Sequence, residues 1–432
     1  MFEQAKKISK TSCIAIGFLM RAINIFFYLA LITAMPRVAS AQPYTEGKTR
    51  HRFAQLTLGW DLRGYSGMGT ETIRIGAGGE WERAALGGHT EARLIIGGTH
   101  FWGHADFYLG IPVASRGRSG FGTDVEMGGR YYPRRIENGK LRPYVGAALL
   151  PVTYAQGEGT IQKRRVYPVL AGATFTRGKH LFECGAGYNY NNRSTYYVAE
   201  DRTTTLRTQA LWLSVGYRYR IETTLSAEKD WLSGRTAFLT DTLARLGRLD
   251  GLTLAIGPSA AFFLKESPHN TAAAPYAAGH ALSGVFPELA VGYYLHRPDV
   301  QLGVAYRTVR SETAAFGYRQ RVMRRALTLE AFKFIADYHG FAAFVGPALS
   351  YERLAVEESH SGGGESRADY GWRPGLTFGW DIRPNRLQSW YLRTNLRYFP
   401  HLQVDMSTGR PVRLDQLEFN FIQLVVFPGR MG

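Results

Sequence analysis

Arginines and carboxylates sit at alternate positions of short runs whose other members are small or polar, and any chemistry of this chain would begin there. Arg142, Arg218, Arg307, Arg373, Arg393 and Arg397 follow this pattern, with Asp61, Asp106, Glu126, Glu183, Glu288, Glu352, Asp381 and Glu418. A strand sends alternate side chains to opposite faces, so these groups converge on one face. In a narrow enclosure such groups are buried and must pair. Around a wide aqueous passage they bias which solutes pass. Other constellations fall short of the spacing that catalysis or ligation needs. Gly64-Tyr-Ser-Gly-Met-Gly69 lacks the glycine two residues after the serine that a nucleophile elbow uses. Ser361-Gly-Gly-Gly-Glu-Ser366 lacks the Gly-Lys of a phosphate loop. The histidines His100, His104, His180, His296 and His339 fall near short turns, and no pair has helical ligand spacing. The expectation is no catalytic residue, no metal and no cofactor.

The elements that must position the charged groups are strands. Strong alternation predicts them at 54–62, 89–101, 104–114, 121–134, 141–156, 165–175, 180–190 and 205–220. After a distinct segment at 221–250 the programme restarts at 251–265, 284–296, 299–310, 322–336, 340–356, 370–382, 388–399 and 412–427. Short turns such as Ile136-Glu-Asn-Gly-Lys140 and His296-Arg-Pro-Asp299 alternate with long links. Residues 221–250 carry Leu232, Phe238, Leu239, Leu243 and Leu246 among charges and read as a partly helical connector. The strand at 322–336 breaks the alternation with Arg325 and Lys333, which calls for a bulge or a protruding end.

Residues 1–41 have Lys6, Lys7, Lys10 and Arg21, an apolar run at Ala22–Met35 and the small-residue site Val38-Ala-Ser-Ala41. That is the layout of a secretory signal peptide. Its removal takes away five basic groups and one acidic group, so the formal net charge falls from +17 to +13. The remainder is strongly basic without a basic run, which favours anionic lipid or polysaccharide over nucleic acid. Cys184 is then the one cysteine left, so no intramolecular disulfide can form. It shares a parity with Phe182, Ala186 and Tyr188 and reads as a small apolar filler. No later segment is long and apolar enough for a spanning helix, so a membrane could be crossed only by a closed set of strands.

Two observations lead to a resemblance. The halves match weakly in residues: Val145-Gly-Ala-Ala-Leu149 corresponds to Val345-Gly-Pro-Ala-Leu349, Leu56-Thr-Leu58 to Leu252-Thr-Leu254, and Leu109-Gly110 to Leu302-Gly303. Their order agrees with the turn pattern, as an internal duplication requires. The last strand then places Leu417, Phe419, Phe421, Val425 and Phe427 on one parity, with Gln423 the single break. This terminal strand resembles the insertion signal of bacterial outer-membrane β-barrel proteins, although in most of those the aromatic is the final residue and here five residues follow. The chain as a whole resembles an eight-stranded small-barrel unit present twice. The resemblance implies an all-β fold, a transmembrane antiparallel β-barrel, with export to the cell outer membrane. The implied partners are outer-membrane lipid, lipopolysaccharide and the barrel-assembly machinery.

Two closures are open: one barrel of about 16 strands, or two tandem eight-stranded barrels joined by 221–250. Inward glycines such as Gly59, Gly97, Gly110 and Gly146 would leave a small barrel poorly filled, and only one terminal strand reads as an insertion signal. The expectation is therefore the single large barrel, a passive porin-like channel for small hydrophilic solutes whose pore is lined by the charged residues named above. The alternative is a non-conducting structural or surface-interaction barrel whose external loops bind a partner. A lipid-modifying enzyme is a more distant third reading.

Overall fold

The computed structural model describes residues 53–431 apart from 67–70, 76–80, 86–87, 117–120, 157–159, 224–234, 278–279, 281, 338–339 and 384–385. The expectations for residues 1–41, for His339, for 67–69 and for much of the connector lie outside the described residues.

The first unit comprises β1 (Gln55–Tyr65), β2 (His89–His100), β3 (Ala105–Arg116), β4 (Glu126–Tyr131), β5 (Leu141–Gln156), β6 (Val169–Arg177), β7 (His180–Tyr188) and β8 (Leu211–Glu222). Each pairs antiparallel with the next, and β8 returns to β1 with Ile221 opposite Leu56. Helix α1 (Arg235–Arg245) follows. The second unit comprises β9 (Gly251–Phe263), β10 (Phe286–Leu295), β11 (Val300–Ala315), β12 (Tyr318–Phe334), β13 (Phe341–His360), β14 (Gly363–Ile382), β15 (Trp390–Phe399) and β16 (Gln416–Val426). This barrel closes where β16 pairs with β9, Phe419 opposite Ala260. The fold is two tandem eight-stranded barrels, and the expectation of one barrel of about 16 strands is corrected. The edges of β1 and β9 are each taken within their own unit, so neither barrel has an edge left for the other.

The inward glycines did not leave empty space. A Cβ on Gly128 would lie 2.2 Å from Tyr108 Cζ, one on Gly187 2.1 Å from Trp212 Cζ2, and one on Gly185 2.3 Å from Tyr144 Oη. Each glycine is the recess into which a large side chain from another strand fits.

The last strand is also corrected. Between Asn420 and Gln423, β16 carries one residue more than either neighbour, because the registers against β9 and β15 both shift there, and Asn420 and Phe421 are buried in succession. This bulge flips the parity. Leu417 and Phe419 face outward, Ile422, Leu424 and Val426 continue that face, and Gln423, Val425 and Phe427 turn inward. Val425 and Phe427 pack with Tyr294, Phe332, Phe334, Phe344 and Tyr391 at the floor of the second barrel. Gln423, the break in the alternation, was the sign of the bulge.

In β12 the register against β11 is continuous, so no bulge accompanies Arg325 and Lys333. The strand protrudes instead. The outward residues Leu327, Leu329 and Ala331 lie between them. The eight residue steps from Arg325 to Lys333 span about 27 Å along the strand at roughly 3.4 Å each, the scale of a tilted strand crossing a bilayer core. Lys333 Nζ reaches down to donate to the Pro298 carbonyl, 2.8 Å away.

Candidate functional site: paired interiors and an apolar belt

Sequence places Asp106 on β3, Arg130 on β4, Glu183 on β7 and Arg218 on β8, all facing inward. The barrel closes them into a ring. Arg218 lies 2.6 Å from Asp106 and 2.9 Å from Glu183, and Arg130 lies 3.1 Å and 2.6 Å from the same two carboxylates. Tyr144 donates to Glu183 at 2.9 Å, and the guanidinium of Arg130 lies 4.4 Å from the Tyr108 ring centre. A second layer toward the long-loop end joins Arg63 to Asp61 at 2.8 Å and to both oxygens of Glu126, while Arg93 lies 2.9 Å from Glu91. Tyr108 donates to Glu126 at 2.6 Å.

The second barrel repeats the solution with different residues. Arg397 holds both oxygens of Glu288 at 2.6 and 2.7 Å and also contacts both of Glu330. Arg393 holds Asp381 at 2.7 and 2.9 Å. Arg324 pairs with Glu352 and Glu418, and Arg307 lies 3.1 Å from Glu418. All of these side chains are buried.

Most of the charged residues predicted to line a pore therefore meet one another. Asp61, Asp106, Glu126, Arg218, Glu288, Arg307, Asp381, Arg393, Arg397 and Glu418, with Glu183 and Glu352, belong to these networks. Arg142 and Arg373 do not. Arg142 sits at a short turn, 2.5 Å from Glu137, and Arg373 pairs with Asp369 toward the open end of β14. Sequence reading missed Arg63, Glu91, Arg93, Arg130, Arg324 and Glu330. A signal was present: Asp61 with Arg63, and Glu91 with Arg93, are same-parity neighbours two residues apart, so each strand brings its own counter-charge.

Above its ion network the second barrel is plugged. The hairpin of Gln403–Asp405 and Pro411–Arg413 lays Val404, Met406, Val412 and Leu414 against Phe263, Val322, Leu354 and Val356. Beside it the short helix α2 (Pro268–Ala273) inserts Asn270, which exchanges hydrogen bonds with Gln320 at 2.8 and 3.0 Å, and His269, which contacts Glu358 at 2.9 Å. His280 bridges Ser311 at 2.7 Å and Gln320 at 2.9 Å. In the first barrel the same end is filled by Tyr65, Leu150, Val152, Tyr154 and Trp212.

At the short-turn end Arg386 lies 2.9 Å from Asp299 and 3.2 Å from Asp337. Burial pushes the Asp299 carboxyl up, but the hydrogen bonds and charge of Arg386 outweigh it and hold it below the usual carboxylate value.

Outside, the parity is reversed. Trp60, Leu62, Val145, Phe182, Leu213 and Val215 on one barrel, and Leu254, Leu289, Val291, Leu302, Leu327 and Leu349 on the other, are all exposed. Cys184 lies on this outer face and is exposed, so it is no filler. Apolar surface this extensive does not face water in a monomeric soluble protein. The barrels touch near their short-turn ends, where Phe341 meets Phe53 and Phe101 at ring-centre distances of 6.4 and 5.5 Å, and Phe107 meets Trp380 at 6.2 Å. Both barrels thus stand with the same end down.

Closed strands, an apolar belt and a paired polar interior define the class: a transmembrane β-barrel of the outer-membrane type. Among solved structures, the chain is similar to the attachment invasion locus protein Ail of Yersinia pestis, at 13% identity and a TM-score of 0.28 over 41% of this chain and 97% of that one. It is also similar to an outer-membrane channel from Pseudomonas putida F1, at 10% identity and a TM-score of 0.21 over 86% and 95% of the two chains. A third is OmpT, an outer membrane protein of Vibrio cholerae, at 8% identity and a TM-score of 0.18 over 87% and 97%. No family model and no curated protein matches the sequence. The functional reading therefore rests on the interior and surface described above.

Proposed function

We propose that this protein is a non-conducting tandem barrel of the bacterial outer membrane, whose long-loop end is a surface for interaction with an external partner. One observation carries the reading: in each barrel arginines and carboxylates from many strands close a layer of ion pairs across the interior. Eight strands leave room for little more than side chains. Breaking such a layer to admit water would strand buried charges. A porin-like path for hydrophilic solutes therefore has no support from this interior, and the reading assigns no catalytic step. Incubation with phospholipid or lipid A is expected to release no fatty acid.

Export through residues 1–41, insertion by the barrel-assembly machinery acting on β16, and an origin of the two units by duplication belong to the same reading. Duplication is supported by Thr57 and Thr253, which occupy the same inward position of the first strand of each unit and are both buried. The test is conductance of the refolded chain in a planar bilayer, with folding checked by heat-modifiable gel mobility. Folded protein and a silent bilayer are expected; stable nanosiemens steps would overturn the reading.

A further inference from the structure

The outer wall of β11–β13 carries an arrangement that the barrel itself does not need. The outward row formed by Tyr306, Leu327, Tyr351 and Trp372 is an exposed aromatic and apolar edge. One outward step toward the long-loop end, Arg325 of β12 stands directly opposite Arg353 of β13, and Tyr370 of β14 is opposite Arg353. Like charges placed across a strand pair repel. The outward acidic residues nearest on this wall, Glu312 of β11 and Glu357 of β13, both lie opposite Arg321, two outward steps from the pair, and Glu312 is engaged by Arg319 and Arg321 at 3.2 Å each. Among the described residues Arg325 and Arg353 have no acidic partner. The Arg353 guanidinium leans over the Tyr370 ring, 5.7 Å from its centre, which stiffens it at the belt edge.

We propose that Arg325 and Arg353 form a clamp for the phosphate of a phosphorylated saccharolipid in the surrounding leaflet. Three features fit that ligand. The pair sits one step beyond the apolar row, the level at which lipid headgroups begin. Two guanidiniums one strand apart offer forked donors to a single phosphate, which also removes their mutual repulsion. The Tyr351 and Trp372 faces below, 45% and 54% exposed, provide apolar surface for acyl chains or a sugar face.

This proposal rests on the membrane reading above. The test uses the refolded chain in detergent with three probes: lipid A bearing its phosphates, dephosphorylated lipid A, and inorganic phosphate. Native mass spectrometry reads the lipid retained. Arg325→Gln with Arg353→Gln is expected to reduce retained phosphorylated lipid roughly tenfold or more, since each surface arginine adds to anionic-lipid attraction. Arg319→Gln with Arg321→Gln, higher on the same wall, is expected to leave retention within about twofold of the parent, and dephosphorylated lipid is expected to bind the parent as weakly as phosphorylated lipid binds the clamp variant. Equal retention by parent and clamp variant overturns the proposal. So does displacement of the lipid by inorganic phosphate alone, which would mark a free-phosphate site. If the double variant does not fold, Arg353→Gln alone carries the test. A folded, silent barrel that binds lipid indifferently would remove the clamp and leave the tandem-barrel reading standing, whereas conductance steps would remove the latter.

Discussion

The first and second barrels share a topology and a way of filling the interior, yet they differ above the ion networks. In both, Arg and acidic side chains are cross-linked in layers, with aromatic rings pressed against glycines or stacked beneath. The charged residues are not at matching places: Arg218 of β8 closes the lower ring in one barrel, and Arg397 of β15 closes the central one in the other. Paired charge is thus a requirement of the eight-stranded cylinder, and which strands supply it is free to change. The open ends differ because the second barrel's β11–β14 run 16 to 20 residues, well beyond what a membrane needs, and must be filled by the 403–413 hairpin and α2.

The strongest way to separate the two interiors is to remove one arginine from each. Arg397 is the cation that contacts both Glu288 and Glu330, so Arg397→Met leaves two buried carboxylates poorly compensated; a loss of about 3–5 kcal/mol is expected in urea unfolding. Arg218→Met is expected to cost less, because Arg130 still contacts Asp106 and Glu183. Equal losses would mean that the second network is not organised around Arg397.

Packing gives the next contrast. Gly128→Ala in the first barrel drives a methyl into Tyr108 and is expected to cost about 1–3 kcal/mol. Gly303→Ala in the second meets its nearest atom at 3.4 Å, an ordinary contact, and should cost well under that. Comparable unfolding midpoints for the two variants would contradict the view that inward glycines of the first barrel are recesses for aromatic rings.

The smallest effect separates the short-turn ends. Asp299 has its carboxyl pKa lowered from 3.8 in the folded state, so its contribution is present at neutral pH and is lost as pH falls through that depressed value. Asp299→Asn should therefore lower the urea midpoint at pH 7, and the difference from the parent should shrink as the pH falls below the ordinary carboxylate range. In the first barrel the Glu137 carboxyl is also held low, by hydrogen bonds from Arg135 and Arg142, but it lies at the surface in reach of solvent; Glu137→Gln should shift the midpoint less than Asp299→Asn at neutral pH.

Much of the fold was legible in the alternation itself. The run 141–156 coincides with β5, and 89–101 and 180–190 end within two residues of β2 and β7. Short turns gave the order of strands because a two-sided pattern fixes register as well as extent. Closure was not legible. Whether β1 meets β8 or β16 depends on which edges come together in space, and both edges carry the same alternation. Glycine was misread for a related reason: the sequence shows a missing side chain at Gly128, but Tyr108, which occupies the space, lies on another strand. Candidate site residues were recognised by parity where alternation was clean. They were missed in β12, where Arg325 and Lys333 obscured the inward parity of Arg324 and Glu330. Arg142 and Arg373 carried the right parity, but Arg142 lies at the end of β5 beside Glu137, and Arg373, in the middle of β14, is taken by Asp369 of its own strand.

The central claim is that each unit closes on itself. The most direct measurement places cysteine pairs in a Cys184→Ser background at Leu56 with Ile221, and at Ala260 with Phe419, both direct cross-strand partners. Two separate barrels predict efficient oxidation of both pairs in the folded, membrane-inserted protein and none between Leu56→Cys and Phe419→Cys. A bond linking positions 56 and 419, with the 56–221 pair left reduced, would mean one merged barrel and contradict the account.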